Sequence, residues 1–278
     1  MVIDAIRADI VKANTGLRLF CYKNNSQRAE VKMAKQNIYD NETFFTEYSK
    51  LREREVNANN LFELPTLFRM LPELQGKTVL DLGCGTGERC IDYLDRGAVE
   101  VTGVDISEKM LNVARSRNSD PRITYLNMPM EDIGAIDRRF DVVISSLALH
   151  YVEDFPGVVK NVFKLLNEDG IFLFSQEHPL ATCHSGTGDR WTRDENGIKL
   201  YANIANYCVE GQKDSTWFVE GVLRYHRMFS TIVNTLTDNG FTILRMEEPY
   251  PTDEIIRKHP EYYDNYHKPD FLFVKAAR

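Results

Sequence analysis

Residues 78–87 read TVLDLGCGTG, an apolar run that passes directly into three glycines at alternate positions. The run has the composition of a buried strand. Because glycine has no Cβ, Gly83, Gly85 and Gly87 let the main chain turn sharply and approach a ligand closely. The residues after Gly87 then follow a helical pattern. The loop is therefore predicted to lie at a helix N-terminus, whose free amides favour polar or anionic groups.

A second landmark lies downstream of the glycine loop. The apolar run at residues 99–104 ends in Asp105, about 20 residues past the glycines. Doubly wound folds place an acidic side chain at this position, where its oxygens accept hydrogen bonds from both ribose hydroxyls. The strand, the loop and the distant acid together predict a nucleotide-type ligand.

The spacing of the glycines separates two classes of cofactor. Dinucleotide-binding dehydrogenases carry Gly-x-Gly-x-x-Gly, whereas here the last position of that pattern is a cysteine. Gly83-x-Gly85-x-Gly87, preceded by Asp81, instead resembles motif I of the class I S-adenosylmethionine-dependent methyltransferases, with Asp105 in the place of their motif II acid. The chain from Tyr39 to Ala276 is similar to the type 11 group of small-molecule methyltransferases.

This resemblance implies S-adenosylmethionine as the cofactor and a role for each matching residue. The glycines would shape the loop around the methionine part, Asp81 would orient that loop or meet the amino group, and Asp105 would bind the ribose. In the adenine segment, Met130 would offer its backbone N–H, and either Glu131 or Asp132 would accept from the exocyclic amine. The predicted cofactor-binding residues are Asp81, Gly83, Gly85, Gly87, Asp105, Ile106, Met130, Glu131, Asp132, Ser146, Tyr48 and Arg52.

Apolar runs of strand length alternate with helical periods from residue 78 onward, a pattern typical of a parallel sheet with crossover helices. The predicted strands lie near residues 78–82, 99–104, 122–126, 140–145, 170–175, 241–246 and 271–275. The predicted fold class is α/β, with a Rossmann-like, doubly wound, mostly parallel seven-stranded sheet. An N-terminal helical cover and a β-rich insertion after the fifth strand complete it. The resemblance implies an antiparallel last strand.

Two regions fall outside the minimal methyltransferase plan. Residues 1–76 are predicted to form an N-terminal extension and helical cover, ahead of a methyltransferase domain at 77–278. Residues 178–227 are rich in aromatics and poor in helical repeats, and they predict either a substrate lid or an aromatic mini-core that supports the sheet. Met33 begins a stretch that looks like a natural start, so residues 1–32 are expected to be a dispensable extension or a misassigned start.

Composition limits the partners of the chain. A net charge of −7 argues against a broad phosphate-binding surface, so a nucleic-acid partner is not expected. The sequence has no run of eighteen apolar residues, which excludes a transmembrane helix and predicts no membrane partner. Its five cysteines form no Cys-x-x-Cys pair, which favours reduced thiols, a cytoplasmic location and no metal site. A small-molecule acceptor and a monomer or homodimer are expected.

Two histidines are candidate general bases. His150 follows the fourth predicted strand and His178 follows the fifth, so both are expected at the carboxyl edge of the sheet. An imidazole there titrates near working pH, although packing or hydrogen bonding explains either residue equally well. Tyr151, Tyr225 and His226 are predicted to contact the acceptor. The last two could bind an anionic acceptor or belong to a structural hydrogen-bond network, which we favour.

An aromatic group precedes the glycine loop. Tyr39, Phe44, Phe45 and Tyr48 are spaced for one helix face, and Arg52 follows one turn later. By resemblance, this segment folds over the cofactor pocket, where Tyr48 or Arg52 touches the methionine end. Core packing explains the aromatic residues equally well.

The predicted function is transfer of a methyl group from S-adenosylmethionine to an oxygen, nitrogen or carbon of a small molecule. The segment SSLALHY at residues 145–151 lacks the Asn/Asp-Pro-Pro-aromatic motif of the enzymes that methylate amino groups of DNA bases. The alternatives are a cofactor-binding sensor, a catalytically silent partner subunit and, less favoured, a nicotinamide-dependent oxidoreductase.

Overall fold

A seven-stranded sheet organises residues 35–184 and 189–278, the part of the chain that the computed structural model describes. The expectation about residues 1–32 lies outside these ranges. The described strands are β1 (Thr78–Leu82), β2 (Glu100–Asp105), β3 (Ile123–Asn127), β4 (Phe140–Ser146), β5 (Leu166–Glu177), β6 (Trp191–Arg193), β7 (Lys199–Ala202), β8 (Gly211–Trp217), β9 (Val219–His226), β10 (Thr242–Glu247) and β11 (Phe271–Ala277). The sheet order is β10-β11-β5-β4-β1-β2-β3. β11 runs antiparallel to both neighbours, so the expected direction of the last strand is confirmed.

Helices cover both faces of the sheet. The described α-helices are α1 (Glu42–Arg52), α2 (Leu64–Met70), α3 (Glu88–Asp95), α4 (Glu108–Arg117), α5 (Phe155–Leu165), α6 (Pro179–Thr182), α7 (Phe229–Asp238) and α8 (Asp253–Lys258). Short 3₁₀ segments lie at Ile38–Asp40, Met130–Ala135, Leu149–Tyr151 and Pro260–Tyr266, and a π-helical turn, Asn59–Glu63, leads into α2. Side chains cap five of the described helices. Among these caps, Ser107 accepts from the Met110 N–H at the start of α4, and Asp154 accepts from the Gly157 N–H at the start of α5.

The seven strands of the sheet overlap the seven predicted runs, and most ends differ by one or two residues. The exception is β5, which was expected near 170–175 and spans twelve residues. Its start is earlier because Leu166 already pairs with Phe140, ahead of an irregularity in the ladder. Within that irregularity, Asp169 adopts a φ of 61°, which turns the chain into the regular part of the strand.

Apolar side chains of the strands are buried on both faces. In β1, Leu80 and Leu82 belong to the cluster that packs with α5 and α7, while Val79 belongs to the cluster that packs with α2 and α3. A parallel sheet covered on both sides needs such continuous apolar strands. The sheet is therefore covered on both faces, and Asp105 lies at the end of one of its strands.

The segment after β5 forms two antiparallel hairpins, β6–β7 and β8–β9, so the expected β-rich insertion is confirmed. The β8–β9 hairpin contacts the N-terminal cover. The Gln36 side-chain amide donates to the Gly221 carbonyl oxygen at 2.7 Å and accepts from the Leu223 N–H at 2.9 Å. The Trp217 ring lies 5.3 Å from that of Phe44 in α1. A lid function for this hairpin stays a prediction.

Candidate active site

The glycine loop between β1 and α3 has the strained geometry that its sequence predicts. Gly83, Gly85 and Gly87 have φ values of 76°, 55° and 80°, a region that L side chains rarely adopt. A Cβ on Gly83 would lie 2.5 Å from the Cβ of Ala148, and one on Gly87 would lie 2.3 Å from the Tyr125 hydroxyl oxygen. A Cβ on Gly85 would meet open space. Both close packing and a positive φ therefore favour glycine at positions 83 and 87, and the positive φ alone favours it at position 85.

Asp105, the last residue of β2, is joined directly to this loop. Its Oδ2 accepts from the Gly85 N–H at 2.8 Å, and its Oδ1 accepts from the Ser107 N–H at 2.8 Å. Burial raises the pKa of this carboxyl, and the two backbone N–H groups oppose the rise. Each carboxylate oxygen has a further lone pair, so Asp105 can still accept from two ribose hydroxyls. The two sequence landmarks are therefore parts of one site.

Asp81 lies beneath the loop rather than at its surface. It is buried, and the Cys90 thiol of α3 donates to its Oδ2 at 3.6 Å. Burial raises the pKa of Asp81 to about 7, against the opposing effects of the Cys90 hydrogen bond and of Arg89. This contact ties the end of β1 to the first turn of α3. Of its two predicted roles, the contact corresponds to orienting the loop.

The predicted adenine segment follows β3 as a 3₁₀ turn. Met130 packs against the apolar cluster beside the sheet, and Glu131 and Asp132 occupy the first turn of this segment. The Met128 N–H donates to the Asp105 carbonyl oxygen at 3.1 Å, which joins the segment to β2. The Ile106 carbonyl oxygen accepts from the Asn37 and Asn127 side-chain amides, which links the same point to the N-terminal cover.

Sequence reasoning missed a buried acid in the π-helical turn. Glu63 is fully buried, and its Oε1 accepts from the hydroxyls of Ser146 and Ser175 at 2.7 Å each. Within the described ranges, its Oε2 has no hydrogen-bond partner although it is buried. Burial raises the pKa of Glu63, and the two hydroxyls and nearby Arg52 lower it. The one sequence signal was an acid inside the otherwise apolar run LFELP.

The aromatic residues of the cover form one cluster with the 3₁₀ segment after β4 and with the insertion. The Tyr39 ring lies 5.0 Å from Phe44, 5.1 Å from Tyr48 and 6.1 Å from Tyr151, and the Tyr48 ring lies 5.9 Å from Trp217. We call these five residues the aromatic cluster. Burial raises the pKa of both Tyr39 and Tyr48, and both lie within electrostatic reach of Asp105 at the end of β2. The cluster therefore borders the cofactor loop.

Arg52, at the end of α1, lies within electrostatic reach of Tyr48 and of Glu63. The predicted methionine-end residues are thus brought beside the acid that the sequence did not reveal. Tyr48 and Arg52 both belong to α1, so the position of this helix determines where their side chains lie.

Both candidate general bases are buried and hydrogen-bonded. His150 Nδ1 accepts from the Glu177 N–H at 3.3 Å, and burial, reinforced by Arg224 and Arg227, lowers its pKa well below the usual value. His178 Nδ1 accepts from the Leu180 N–H, which caps α6. Its Nε2 lies 2.8 Å from the Glu248 carboxylate and, in this tautomer, donates to it. A base role for His178 would require the loss of one of these bonds.

The predicted acceptor residues lie in different surroundings. Tyr151 belongs to the aromatic cluster, whereas His226 bonds to the Thr182 hydroxyl and the Tyr207 carbonyl oxygen, each at 2.8 Å. Next to it, Arg227 donates to backbone carbonyls of residues 149, 152 and 153. Tyr225 lines a pocket with Glu153 and other residues at the start of α5. Both ring nitrogens of His226 are thus occupied by contacts within the protein.

The residues present fit S-adenosylmethionine. The glycine loop leaves a backbone cradle that side chains would fill, Asp105 keeps lone pairs for a ribose, and Glu63 keeps an unpaired carboxylate oxygen in the part of the chain that is described. In the same ranges, no group of three or more His, Cys, Asp or Glu residues is arranged to hold a metal ion. No helix among the described residues has the length and apolar character needed to cross a bilayer.

Comparisons with known proteins agree with this geometry. The family model of a methyltransferase domain matches residues 73–231. An S-adenosylmethionine dependent methyltransferase from Mesorhizobium loti is 38% identical, with a TM-score of 0.73 over 81% of this chain and 99% of that one. An uncharacterized protein of Haemophilus influenzae is 38% identical over 88% of this chain and 98% of its own length. A ubiquinone biosynthesis O-methyltransferase of Neisseria meningitidis is 36% identical, but the match spans only 40% of this chain and half of that protein.

The matched region begins just ahead of β1 and ends in α7, so it includes the glycine loop, Asp105 and the insertion. The Mesorhizobium structure extends the similarity to 81% of the chain. The chain belongs to the methyltransferase-domain family and is a class I S-adenosylmethionine-dependent methyltransferase.

Proposed function

We propose that this methyltransferase acts on a small molecule that binds under the β8–β9 hairpin, at the carboxyl edge of β4 and β5. The observation that carries the proposal is the aromatic cluster. It joins the cofactor side of the site, through Tyr39 and Tyr48, to Tyr151 after β4 and to Trp217 of the hairpin. Apolar walls with a few buried polar groups are typical of small-molecule sites. The hairpin is accordingly proposed as the substrate lid of the predicted 178–227 insertion.

The proposed cofactor contacts follow the geometry of the loop. Gly83, Gly85 and Gly87 provide the backbone cradle, and Asp105 holds the ribose. The 3₁₀ segment at Met130–Ala135 borders the adenine, with Met130, Glu131 and Asp132 in their predicted roles. When bound, S-adenosylmethionine supplies an activated methyl group, and the protein orients the acceptor toward it.

The methionine end is proposed to bind between α1 and the π-helical turn. Arg52 suits the cofactor carboxylate by its charge. Glu63 Oε2, which has no partner among the described residues, suits the ammonium group. Ser146 holds Glu63 by a hydrogen bond rather than contacting the cofactor itself in this proposal. Tyr48 covers the same end from α1.

An oxygen acceptor is supported by the name of the Neisseria relative, which is an O-methyltransferase. Because that match covers only half of the relative, we propose an oxygen acceptor and not the relative's own substrate. A cytoplasmic location and a monomeric or dimeric state remain predictions from the sequence.

Calorimetric titration of the purified protein with S-adenosylhomocysteine, NAD and NADP tests the cofactor part of the proposal. We expect binding of S-adenosylhomocysteine and of neither nicotinamide nucleotide. A screen of small molecules with S-adenosylmethionine labelled on its methyl group then tests transfer. Tight cofactor binding without transfer to any small molecule would favour the sensor or silent-subunit alternative.

A further inference from the structure

An ion pair joins the end of the sheet to the β8–β9 hairpin. Glu177, the last residue of β5, lies with its Oε1 3.0 Å from the Nη1 of Arg224 on β9. The two side chains are 20% and 13% exposed. An ion pair shielded in this way costs desolvation free energy, which its attraction repays only if the remaining polar atoms are also hydrogen-bonded.

One further polar atom on each side chain has no hydrogen-bond partner within the described ranges. Glu177 Oε2 and Arg224 Nε are both buried, and neither has a partner among residues 35–184 and 189–278. Buried polar atoms in native proteins nearly always have a hydrogen-bond partner, so an unpaired one indicates a binding position for a ligand, ion or water. Here one strong acceptor and one strong donor are unpaired in the same ion pair. A ligand that brings both a donor and an acceptor would satisfy them together.

The pair faces the proposed acceptor site. The Arg224 guanidinium lies 5.6 Å from the Trp217 ring centroid, and Tyr151 lies within electrostatic reach of both members of the pair. Tyr151 in turn adjoins Tyr39, whose hydroxyl is within electrostatic reach of Asp105. Ion pair, aromatic cluster and ribose acid thus follow one another along the carboxyl edge of the sheet.

We propose that Glu177 and Arg224 bind a hydroxyl group of a planar acceptor, and that the Glu177 carboxylate takes its proton during methyl transfer. The proposal rests on the proposed function and narrows its substrate class to hydroxyl compounds. It places the general base one residue before His178.

Hydrogen-bond chemistry selects the hydroxyl over other nucleophiles. A hydroxyl donates one hydrogen bond and accepts others, so it pairs with Glu177 Oε2 and with Arg224 Nε at once. A carboxylate only accepts, and would face the Glu177 oxygen with like charge. A neutral amine nitrogen has a single lone pair, which it cannot both offer to the Arg224 N–H and use to attack the methyl carbon, whereas a hydroxyl oxygen has two. The aromatic side chains beside the pair favour a planar body for the molecule that carries the hydroxyl.

The proposed step conserves atoms and charge. The hydroxyl proton passes to Glu177 Oε2, and the acceptor oxygen forms its new bond to the methyl carbon. The carbon–sulfur bond breaks with its electron pair remaining on sulfur, which becomes a neutral thioether. Arg224 stays charged throughout and holds the acceptor oxygen in line through its Nε–H.

The charged groups around Glu177 set its proton affinity. Burial raises the pKa of Glu177, while Arg224, Arg190 and Lys268 lower it and Asp270 adds to the rise. A carboxyl with a raised pKa is a stronger base than an exposed one, which suits it to accept a proton near neutral pH. The His150 ring accepts from the Glu177 backbone N–H and fixes the main chain at this point.

The first test compares acceptors that differ only in the nucleophile. Phenols are assayed beside the benzoic acids, anilines and benzamides that share their ring substituents, with methyl-labelled S-adenosylmethionine and the full chain. We expect label in the phenols only. Label in the benzoic acids, anilines or benzamides instead would overturn the substrate class. Label in none of the compounds, with S-adenosylhomocysteine still bound in calorimetry, would overturn it too and leave cofactor binding standing.

The second test removes the pair. Glu177→Gln is expected to lower kcat for the best phenol on the order of 10²-fold or more, and to leave S-adenosylhomocysteine affinity within a factor of two. Because this change leaves the Arg224 charge without a counter-ion, the double variant Glu177→Gln/Arg224→Met is made as well and checked by thermal unfolding. Glu220→Gln, on the exposed side of the same hairpin, is the matched control.

A binding measurement separates recognition from catalysis. Calorimetry with the S-adenosylhomocysteine complex compares the best phenol with the same molecule lacking its hydroxyl. In the wild type, the phenol is expected to bind at least tenfold more tightly, and in the folded double variant the two affinities should converge. An unchanged preference for the phenol in that variant, or kcat within threefold of wild type, would refute the assignment of Glu177 and Arg224.

Discussion

Replacing Asp105 with asparagine tests the link between β2 and the glycine loop. The carboxylate accepts two backbone N–H groups, from Gly85 and Ser107, each at 2.8 Å. Asparagine retains one oxygen, so its amide NH₂ must face one of these donors. Hydrogen bonds to a charged group contribute about 1.5–3 kcal/mol, so we expect the free energy of unfolding to fall by about that amount.

Cofactor affinity should fall by a similar amount, because the ribose hydroxyls then lose a charged acceptor. A loss of about 1.5–3 kcal/mol corresponds to roughly 10- to 150-fold weaker binding of S-adenosylhomocysteine in calorimetry. Asp95→Asn, at the exposed end of α3, serves as the control and should change neither quantity.

A truncated ligand separates the two effects of the Asp105 substitution. An S-adenosylhomocysteine analogue without ribose hydroxyls should already bind weakly to the wild type, and Asp105→Asn should weaken it by less than threefold. If the substitution weakens the analogue and the natural ligand equally, Asp105 acts only through the loop. If neither affinity changes, its assignment as the ribose ligand is wrong.

Three further predictions follow from the loop and the carboxyl edge. Gly85→Ala should lower the unfolding free energy by about 1–2 kcal/mol, because alanine must adopt the positive φ of this position. Gly87→Ala should lower it further, because its Cβ would also clash with the Tyr125 hydroxyl. Urea unfolding measures both changes. Burial raises the pKa of Asp81 to about 7, so the folded state holds a proton that the unfolded state has released above about pH 4. The unfolding free energy of the wild type should therefore fall between pH 4 and pH 7, by up to about 4 kcal/mol more than that of Asp81→Asn. Parallel plots of unfolding free energy against pH for the two proteins would refute this. His178→Gln should retain kcat within tenfold if Glu177 is the base, whereas a loss of 10²-fold or more with normal folding would return that role to the histidine.

Local signals made the sheet and the cofactor loop predictable. The strand at 78–82, its glycines and Asp105 are defined by residues close in sequence, and the backbone between them has few alternatives. The hydrogen bond between Gly85 and Asp105 then follows from the pairing of β1 with β2.

The polar partners at the carboxyl edge were not predictable in the same way. Glu63 bonds to Ser146 and Ser175, which lie 83 and 112 residues away, so no local pattern signals its burial. Glu177 and Arg224 likewise meet only because the β8–β9 hairpin returns to the end of β5. Residue type and position after a strand favour His150 and His178 as general bases. The bonds that occupy their ring nitrogens come from tertiary structure.

The two hydrogen bonds of Gln36 have a consequence for the order of ligand exchange. Moving β9 away from the N-terminal segment breaks both bonds, at a net cost of about 0.5–1.5 kcal/mol each. The hairpin at the proposed acceptor site and the N-terminal segment that leads into α1, at the proposed methionine end, are therefore expected to open together. A protein linked in this way exchanges its two ligands through one shared fluctuation, so the residence time of the spent cofactor should depend on whether an acceptor holds the hairpin in place.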